Sequence, residues 1–214
     1  MKKLLIGITL VLLISGCSGE STAKQMYAHL EKAWELEETF ADQQDPFTQL
    51  EEKDNEIYNE LIELSADEED KITELQKEAF DNIEERRSLL ETEKESIENA
   101  EEEFTKVKDY VEDLNEEVKP TAEEMIKAME NRFSKYYQLY EAYLNLLDED
   151  HILYELFAKE DLTEDELIGQ INVVNEKLEN VRELNASFNQ FTDSYNELKE
   201  QFYEEAGLNV EFEE

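Results

Sequence analysis

The chain has almost no residues that stop a helix. Its 214 residues include five glycines and two prolines, and three of the glycines lie within the first 19 positions. The remainder is rich in glutamate, leucine, lysine and alanine, which are strong helix formers. This composition predicts long α-helices with few interruptions.

Apolar residues recur at alternating three- and four-residue intervals, the pattern of a helix with one buried face. Helices of this kind must pair to bury that face, and short links between them produce antiparallel neighbours. The predicted fold is all-α, an elongated antiparallel helical bundle of coiled-coil type with three to four long helices. The bundle domain is assigned to residues 23–208, followed by a C-terminal tail over 209–214.

Local signals predict where the helices begin and end. Asp45-Pro46 predicts a break, with Asp45 as the N-cap of the helix that follows. Gly207 predicts a left-handed C-cap of the last helix. Three capping boxes, in which a Ser or Thr is followed three residues later by Glu, predict further helix starts; they are Ser65–Glu68, Thr121–Glu124 and Thr163–Glu166.

Four charged residues occupy positions where the apolar pattern calls for a buried side chain. Asp54 interrupts the second segment and Asp150 the fourth. Arg86 and Glu93 interrupt the first half of the third segment. This half of the third segment is therefore predicted to be frayed or solvent-rich, and locally less stable than the rest.

The N-terminus has the pattern of an export signal. Two lysines precede the apolar run Leu4–Ile14, which is too short to span a bilayer comfortably. The run ends in Leu13-Ile14-Ser15-Gly16-Cys17, which resembles the lipobox of bacterial lipoproteins. The resemblance implies that residues 1–16 are a signal peptide and that Cys17, the only cysteine, is lipidated. Residues 17–22 then form the lipidated Cys and tether.

The charge of the chain excludes one class of partner. Aspartate and glutamate number 58 against 20 lysines and arginines, a formal net charge of −38. Such a surface repels nucleic acid and anionic lipid headgroups. The predicted membrane attachment therefore depends on the lipid on Cys17.

No pattern predicts catalysis, a cofactor or a metal site. The two histidines, His29 and His151, lie far apart and are interpreted as exposed helix residues. Nucleophile elbows, phosphate-binding glycine loops and Cys-His pairs are absent from the sequence. The acidic runs 67–70 and 148–150 lack the spacing of a calcium loop and are interpreted as solvated turns.

Two residues are candidate ligand contacts. Tyr136, Tyr140 and Tyr143 fall on the apolar face of the fourth segment and are assigned to the core, whereas Tyr137 lies off it. The last segment is rich in Asn and Gln, whose amides suit glycan or peptide contacts, and Asn189 is the candidate there. An ordinary polar helix face remains the alternative for these amides.

Several stretches taken together resemble the YkyA-like family of cell-wall-binding lipoproteins of Gram-positive bacteria. The stretches are the lipobox at Cys17, Asp45-Pro46-Phe47, Ile57-Tyr58-Asn59-Glu60, Asp161-Leu162-Thr163, Gln170-Ile171-Asn172, Tyr195-Asn196-Glu197-Leu198-Lys199, Phe202-Tyr203 and Ala206-Gly207-Leu208-Asn209-Val210. The resemblance implies a helical lipoprotein on the extracytoplasmic face of the cell membrane, facing the wall. It carries over no catalytic residues.

The leading hypothesis is a non-enzymatic, membrane-anchored protein that binds peptidoglycan or another wall polymer, as a spacer or binding module. One alternative is an adaptor that docks another envelope protein through a helical face; an exposed apolar stripe would favour it. The other alternative is an envelope hydrolase, which a deep pocket lined by two carboxylates would favour.

Overall fold

The computed structural model describes residues 21–65, 67–208 and 210. The predicted signal peptide, Cys17 with its predicted lipid, and all of the tail except Val210 lie outside the described residues. The elements are α1 (Thr22–Leu36), α2 (Glu38–Glu63), α3 (Glu69–Thr105), a 3-10 helix (Lys106–Asp113), α4 (Lys119–Phe157) and α5 (Glu164–Glu205). The predicted all-α helical bundle is confirmed.

The helices run up and down: α1 and α2 form one broken helix antiparallel to α3, α3 is antiparallel to α4, and α4 is antiparallel to α5. α1 and α2 together follow α3, which packs on α4, and α4 packs on α5. Hydrogen bonds record the antiparallel register, because residue numbers rise on one helix as they fall on its neighbour. The pairs His29–Glu103 and Gln44–Glu93 link α1 and α2 to α3, and Arg132–Thr192 and Gln170–Glu149 link α4 to α5.

The apolar pattern identified the core well in the second half of the third segment. All seven predicted positions there are buried, although the chain changes to a 3-10 helix after Thr105. They are Ile97, Ala100, Phe104, Val107, Val111, Leu114 and Val118. Burial of this face was therefore predictable, whereas the change of helix type was not.

The first break in the chain lies at Glu37, so the prediction of a break at Asp45-Pro46 was wrong. Pro46 lies inside α2. Pro46 has no N–H, so the carbonyl of Asp42, four residues earlier, has no helical donor. Asp42 is exposed, and water can donate to this carbonyl instead.

Tertiary contacts fix the break at Glu37. The Ser96 hydroxyl of α3 donates to the Leu36 carbonyl at 2.6 Å and accepts from the Phe40 N–H at 3.2 Å, so it satisfies a backbone group on each side of the break. The Glu37 carboxylate accepts two hydrogen bonds from Arg132 of α4, both at 2.7 Å. Arg132 is 5% exposed, and Glu37 therefore compensates a buried charge.

The other helix boundaries follow local chemistry to different degrees. The capping box Thr163–Glu166 forms in full, which confirms its prediction. At Ser65–Glu68 the Glu68 carboxylate accepts from the Ser65 N–H and hydroxyl. The predicted helix start at Ser65 was wrong, because α3 begins at Glu69 with Glu68 as its N-cap. The helix start at Thr121 was wrong, because α4 begins at Lys119 and the Thr121 hydroxyl donates to Glu205 of α5.

Gly207 ends the last helix as predicted. Its φ is +66°, and the N–H groups of Gly207 and Leu208 donate to the carbonyls of Glu204 and Tyr203. This is the Schellman arrangement, in which the left-handed residue is most often glycine.

The substitution Ser96→Ala tests the origin of the break. It leaves the Leu36 carbonyl and the Phe40 N–H without their partner, and we expect a loss of about 1–3 kcal/mol in the free energy of unfolding. Ser194→Ala is the matched control, because the Ser194 hydroxyl bonds only to the Gln190 carbonyl of its own helix on an exposed face. Urea titrations of both variants measure the difference, and equal losses would contradict this account of the break.

Candidate functional site

A cleft separates α2 from α5. The two helices approach at Phe40 and Phe188, whose ring centroids are 5.9 Å apart. Beyond this contact they face each other across a cavity of about 830 Å³, which α3 and α4 close at the bottom. This volume lies within the range of small-molecule binding sites.

The α5 wall of the cleft combines apolar and amide groups. No residue of α5 before Val181 is buried, so its apolar face is only partly covered over this length. Asn175, Asn185 and Asn189 line the same wall, and Asn189 donates to the Asn185 side-chain oxygen at 3.0 Å. The first half of α5 therefore presents a partly covered apolar face flanked by hydrogen-bonding amides.

Three aromatic rings from three helices meet at one end of the cleft. Tyr136 of α4 lies edge-on to Phe40 of α2, with ring centroids 5.8 Å apart, and 6.1 Å from Phe188 of α5. Tyr136 is 2% exposed, and its hydroxyl has no hydrogen-bond partner among the described residues. Burial, and then the nearby charge of Glu93, raise the pKa of this hydroxyl.

Glu93 of α3 lies at the same end of the cleft. Its side chain is buried, and Gln44 of α2 donates to it at 2.8 Å. Burial raises the pKa of Glu93 to about 7, because no compensating charge opposes the cost of desolvation. Glu93 is thus a buried carboxyl whose hydrogen-bonding partner in the described structure is a neutral amide.

A charged network crosses the middle of the cleft floor. Arg86 of α3 donates to Asp54 of α2 at 3.0 Å and to Asp150 of α4 at 3.4 Å. Tyr154 donates to the Asp54 carboxylate at 2.9 Å. Burial raises the pKa of Asp150, although Arg86 opposes the shift. The network joins α2, α3 and α4 where the apolar pattern of each is interrupted.

The prediction that the first half of the third segment is solvent-rich was therefore wrong. Arg86 is 2% exposed and Glu93 is 5% exposed. Both side chains are buried because polar groups of α2 and α4 meet them at the positions where an apolar partner was expected.

The two candidate ligand residues lie in different places. Asn189 lines the cleft. Tyr137 lies beside a second, shallower depression between α4 and α5, together with Asn180, and donates to Glu101 at 2.5 Å. The Tyr137 ring also lies edge-on to Tyr136, with centroids 5.7 Å apart. Both ligand contacts remain predictions, and only Asn189 lines the cleft.

Both histidines contact neighbouring helices, whereas the sequence predicted exposed positions for them. His29 contacts Glu103 at 2.6 Å and the Tyr110 hydroxyl at 3.2 Å. The His151 ring stacks on Phe80 with centroids 4.4 Å apart. Both contacts link helices and explain the positions of these residues.

Among the described residues, no group of three or more His, Cys, Asp or Glu side chains could hold a metal ion. In the acidic run 148–150, Asp148 and Asp150 instead pair with Arg87 and Arg86. None of the helices described here is long and apolar enough to cross a membrane. The large exposed apolar side chains are Trp34, Ile62, Ile152 and Ile168, which lie on four different helices.

Sequence reasoning missed Glu93 and Tyr136 as cleft residues. Tyr136 was assigned to the core, and it is buried, but its hydroxyl has no partner there. The sequence did contain a signal for this site, namely the charged residues at apolar positions on α2, α3 and α4. Opposite charges at such positions can pair across helices.

Replacing Arg86 tests the charged network. In Arg86→Ala the buried carboxylate of Asp150 and the partly buried carboxylate of Asp54 lose their cation, and we expect a loss of about 3–5 kcal/mol in the free energy of unfolding. Arg87→Ala is the control, because Arg87 pairs with an exposed partner, Asp148, and such pairs contribute at most about 1 kcal/mol. Similar losses for the two variants in urea titrations would refute the structural role of Arg86.

Replacing Glu93 tests its burial through the pH dependence of stability. The pKa in the folded state, about 7, exceeds the ordinary 4.5, so the folded state binds this proton more tightly than the unfolded state. The contribution of the Glu93 proton to the free energy of unfolding is fully present below pH 4.5 and is lost as the pH rises through 7. Between these two pH values we expect the free energy of unfolding of the wild type to fall by on the order of 3 kcal/mol relative to that of Glu93→Gln.

Thermal or urea unfolding between pH 4 and 8 measures this loss. Glu98→Gln is the control, because Glu98 is exposed and pairs with Lys94 on the surface of the same helix. A constant difference between wild type and Glu93→Gln over this range would contradict the predicted pKa of Glu93.

The sequence and the fold of this chain are both similar to those of known proteins. A family model described as "Putative cell-wall binding lipoprotein", named YkyA, matches residues 21–205. The uncharacterized lipoprotein YkyA of Bacillus subtilis (strain 168) is 32% identical over 202 residues, which cover 94% of this chain and 91% of that protein. A crystal structure at 1.6 Å of a conserved protein of unknown function from Staphylococcus aureus shares the fold. Its TM-score is 0.70 at 14% identity, over 87% of this chain and 98% of that one. The resemblance inferred from the sequence is confirmed, and the chain belongs to the YkyA family.

Proposed function

We propose that this protein is a non-enzymatic lipoprotein, anchored to the outer face of the cell membrane by a lipid on Cys17, that binds the cell wall through the cleft between α2 and α5. The observation that carries the proposal is the cleft itself, with a cavity of about 830 Å³. Its walls offer aromatic rings, amides and a buried hydroxyl without a partner, which are groups that hold a wall fragment by contact and hydrogen bonding.

The family description and the Cys17 pattern support the location. The family is described as a cell-wall binding lipoprotein, and Cys17 ends a lipobox-like sequence. Four residues lie between Cys17 and Thr22, the first residue of α1, and so short a tether would hold the bundle close to the membrane surface.

Binding is favoured over hydrolysis, although the cleft contains several carboxyl groups. Asp54 and Asp150 are engaged with Arg86, and Glu51 accepts a hydrogen bond from Tyr143. The two-carboxylate mechanism of glycosidases needs one carboxyl free as the acid and another free as base or nucleophile. Glu93 and Asp150 both have the raised pKa of such an acid. Asp150 is held by Arg86, however, and the other carboxylates that line the cleft beside Glu93 are engaged as well.

Wall binding is favoured over the adaptor alternative by where the apolar surface lies. Among the described residues, the large exposed apolar side chains are divided among α1, α2, α4 and α5. The partly covered apolar face of α5 lines the cleft.

Co-sedimentation with purified peptidoglycan sacculi tests the proposal. The full chain, kept in detergent, is centrifuged with sacculi with and without teichoic acids, over a range of salt and calcium concentrations. We expect saturable pelleting that survives high salt. The variant Asn189→Trp places a large ring in the cleft and is expected to weaken binding by about tenfold or more, equivalent to 1.4 kcal/mol or more.

Asn180→Trp is the matched control, because Asn180 is also an exposed asparagine of α5 but lies beside the other depression. Its binding should equal that of the wild type. A protein that stays in the supernatant under every condition would refute wall binding, and equal weakening by the two variants would refute the cleft as the site. Release of soluble sugar fragments by the wild type would instead favour the hydrolase.

A further inference from the structure

We infer that the aromatic end of the cleft is a binding site for a cationic amine, with the Glu93 carboxylate as its counter-ion and Tyr136 as a second hydrogen-bond acceptor. This inference rests on the proposed function and specifies which group of the wall the cleft recognises. The amines that a wall offers are the free amino groups of its peptide stems and the alanyl esters of its teichoic acids.

The first argument is that, among the described residues, this end of the cleft holds a buried carboxyl group without a counter-charge and a buried hydroxyl without a hydrogen-bond partner. Glu93 is 5% exposed, and its hydrogen bond in the described structure comes from Gln44, a neutral amide. The Tyr136 hydroxyl is also buried and has no partner among the described residues. An ammonium group has three N–H donors and no acceptor, so it could bond to both.

The second argument is the arrangement of the rings. Phe40, Tyr136 and Phe188 enclose this end of the cleft from three helices, with centroid separations of 5.8 to 6.1 Å. Aromatic rings attract a cation through their negatively charged faces, and a desolvated site strengthens the attraction. A carboxylate beside several rings is thus suited to an ammonium group rather than to an anion.

The third argument is the charge of the cleft as a whole. The other charged groups that line it are Glu51 and Asp54 on α2, Arg86 on α3, Asp150 on α4 and Arg182 on α5. Arg86 is occupied by Asp54 and Asp150, and Arg182 pairs with Glu179 at 3.8 Å on the exposed rim. Arg132 packs on Phe188 at 4.7 Å, but Glu37 matches its charge.

The net charge of these groups is negative, as is the net charge of the whole chain. A cationic ligand is attracted to the cleft and an anionic polymer is repelled. Burial also raises the pKa of Glu93 to about 7, and an ammonium group bound beside it would favour the charged carboxylate.

The test uses sacculi whose free amines have been acetylated, which removes their positive charge and leaves the glycan strands intact. The full chain is co-sedimented with native and acetylated sacculi, each with and without teichoic acids. We expect native sacculi to bind at least about tenfold more tightly than acetylated ones, as for loss of one charge-assisted hydrogen bond. The preparations without teichoic acids separate the stem amines from the alanyl esters as the source.

Two variants separate recognition by Glu93 from general attraction to an acidic protein. Glu93→Gln keeps the shape of the side chain and removes its charge, and it should abolish most of the preference for native sacculi. Glu98→Gln removes one exposed negative charge from the same helix and should leave the preference unchanged.

The outcomes distinguish the inference from the proposed function. Equal pelleting by native and acetylated sacculi would overturn amine recognition and leave wall binding in place. An equal loss of preference in Glu93→Gln and Glu98→Gln would overturn the role of Glu93. No pelleting by native sacculi would refute the proposed function, and the inference with it.

Discussion

The buried guanidinium of Arg86 is the interaction on which the middle of this bundle depends. It lies 2% exposed on α3 and donates to carboxylates of α2 and α4. Such a group is costly to bury, so each carboxylate is needed to offset the desolvation of the cation. These charged groups join α2 to α4 beside the aromatic contact of Phe47 with Tyr143, whose ring centroids are 4.9 Å apart. Toward its N-terminus α2 reaches α5 through Phe40, and beyond that contact the cleft opens.

The cleft therefore results from the way in which the helices of the bundle pack against one another. One broken helix, α1 and α2, follows α3 along its length, and the break at Glu37 is held by Arg132 and Ser96. On the α1 side Tyr203 of α5 contacts Tyr27 and donates to Glu31, which closes the bundle at that end. On the α2 side the apolar face of α5 is only partly covered, and amides and aromatic rings line the gap. A cavity of this composition, in a member of a family described as "Putative cell-wall binding lipoprotein", is the basis for the proposal that a ligand binds there.

Much of the fold could be predicted from the sequence, because local periodicity and end signals determine it. The apolar face of the third segment, the capping box at Thr163 and the left-handed Gly207 all depend on neighbouring residues, and all are confirmed. The break at Glu37 could not be predicted in this way, since it depends on side chains about 60 and 95 residues away. The more visible signal at Pro46 was misleading because a proline on an exposed helix face can be tolerated.

The candidate site was harder to predict than the fold. Asp54, Arg86 and Asp150 were each recognised as charged residues at apolar positions, but the solvent-rich interpretation of Arg86 overlooked that the others offered it buried partners. Tyr136 was correctly placed in the core. What periodicity could not reveal is that α2 and α5 stand apart, so that a core tyrosine also lines a cavity. The separation of two helices is a property of the whole assembly and has no local signature.

The central claim is that wall fragments bind between α2 and α5. Hydrogen–deuterium exchange of the full chain, with and without solubilised peptidoglycan fragments, tests it most directly. The account predicts slower exchange in two separate stretches at once, near residues 40–58 of α2 and 171–189 of α5, because these are the two walls of the cleft. Protection confined to the opposite depression near 134–145, or no protection at saturating fragment, would contradict it.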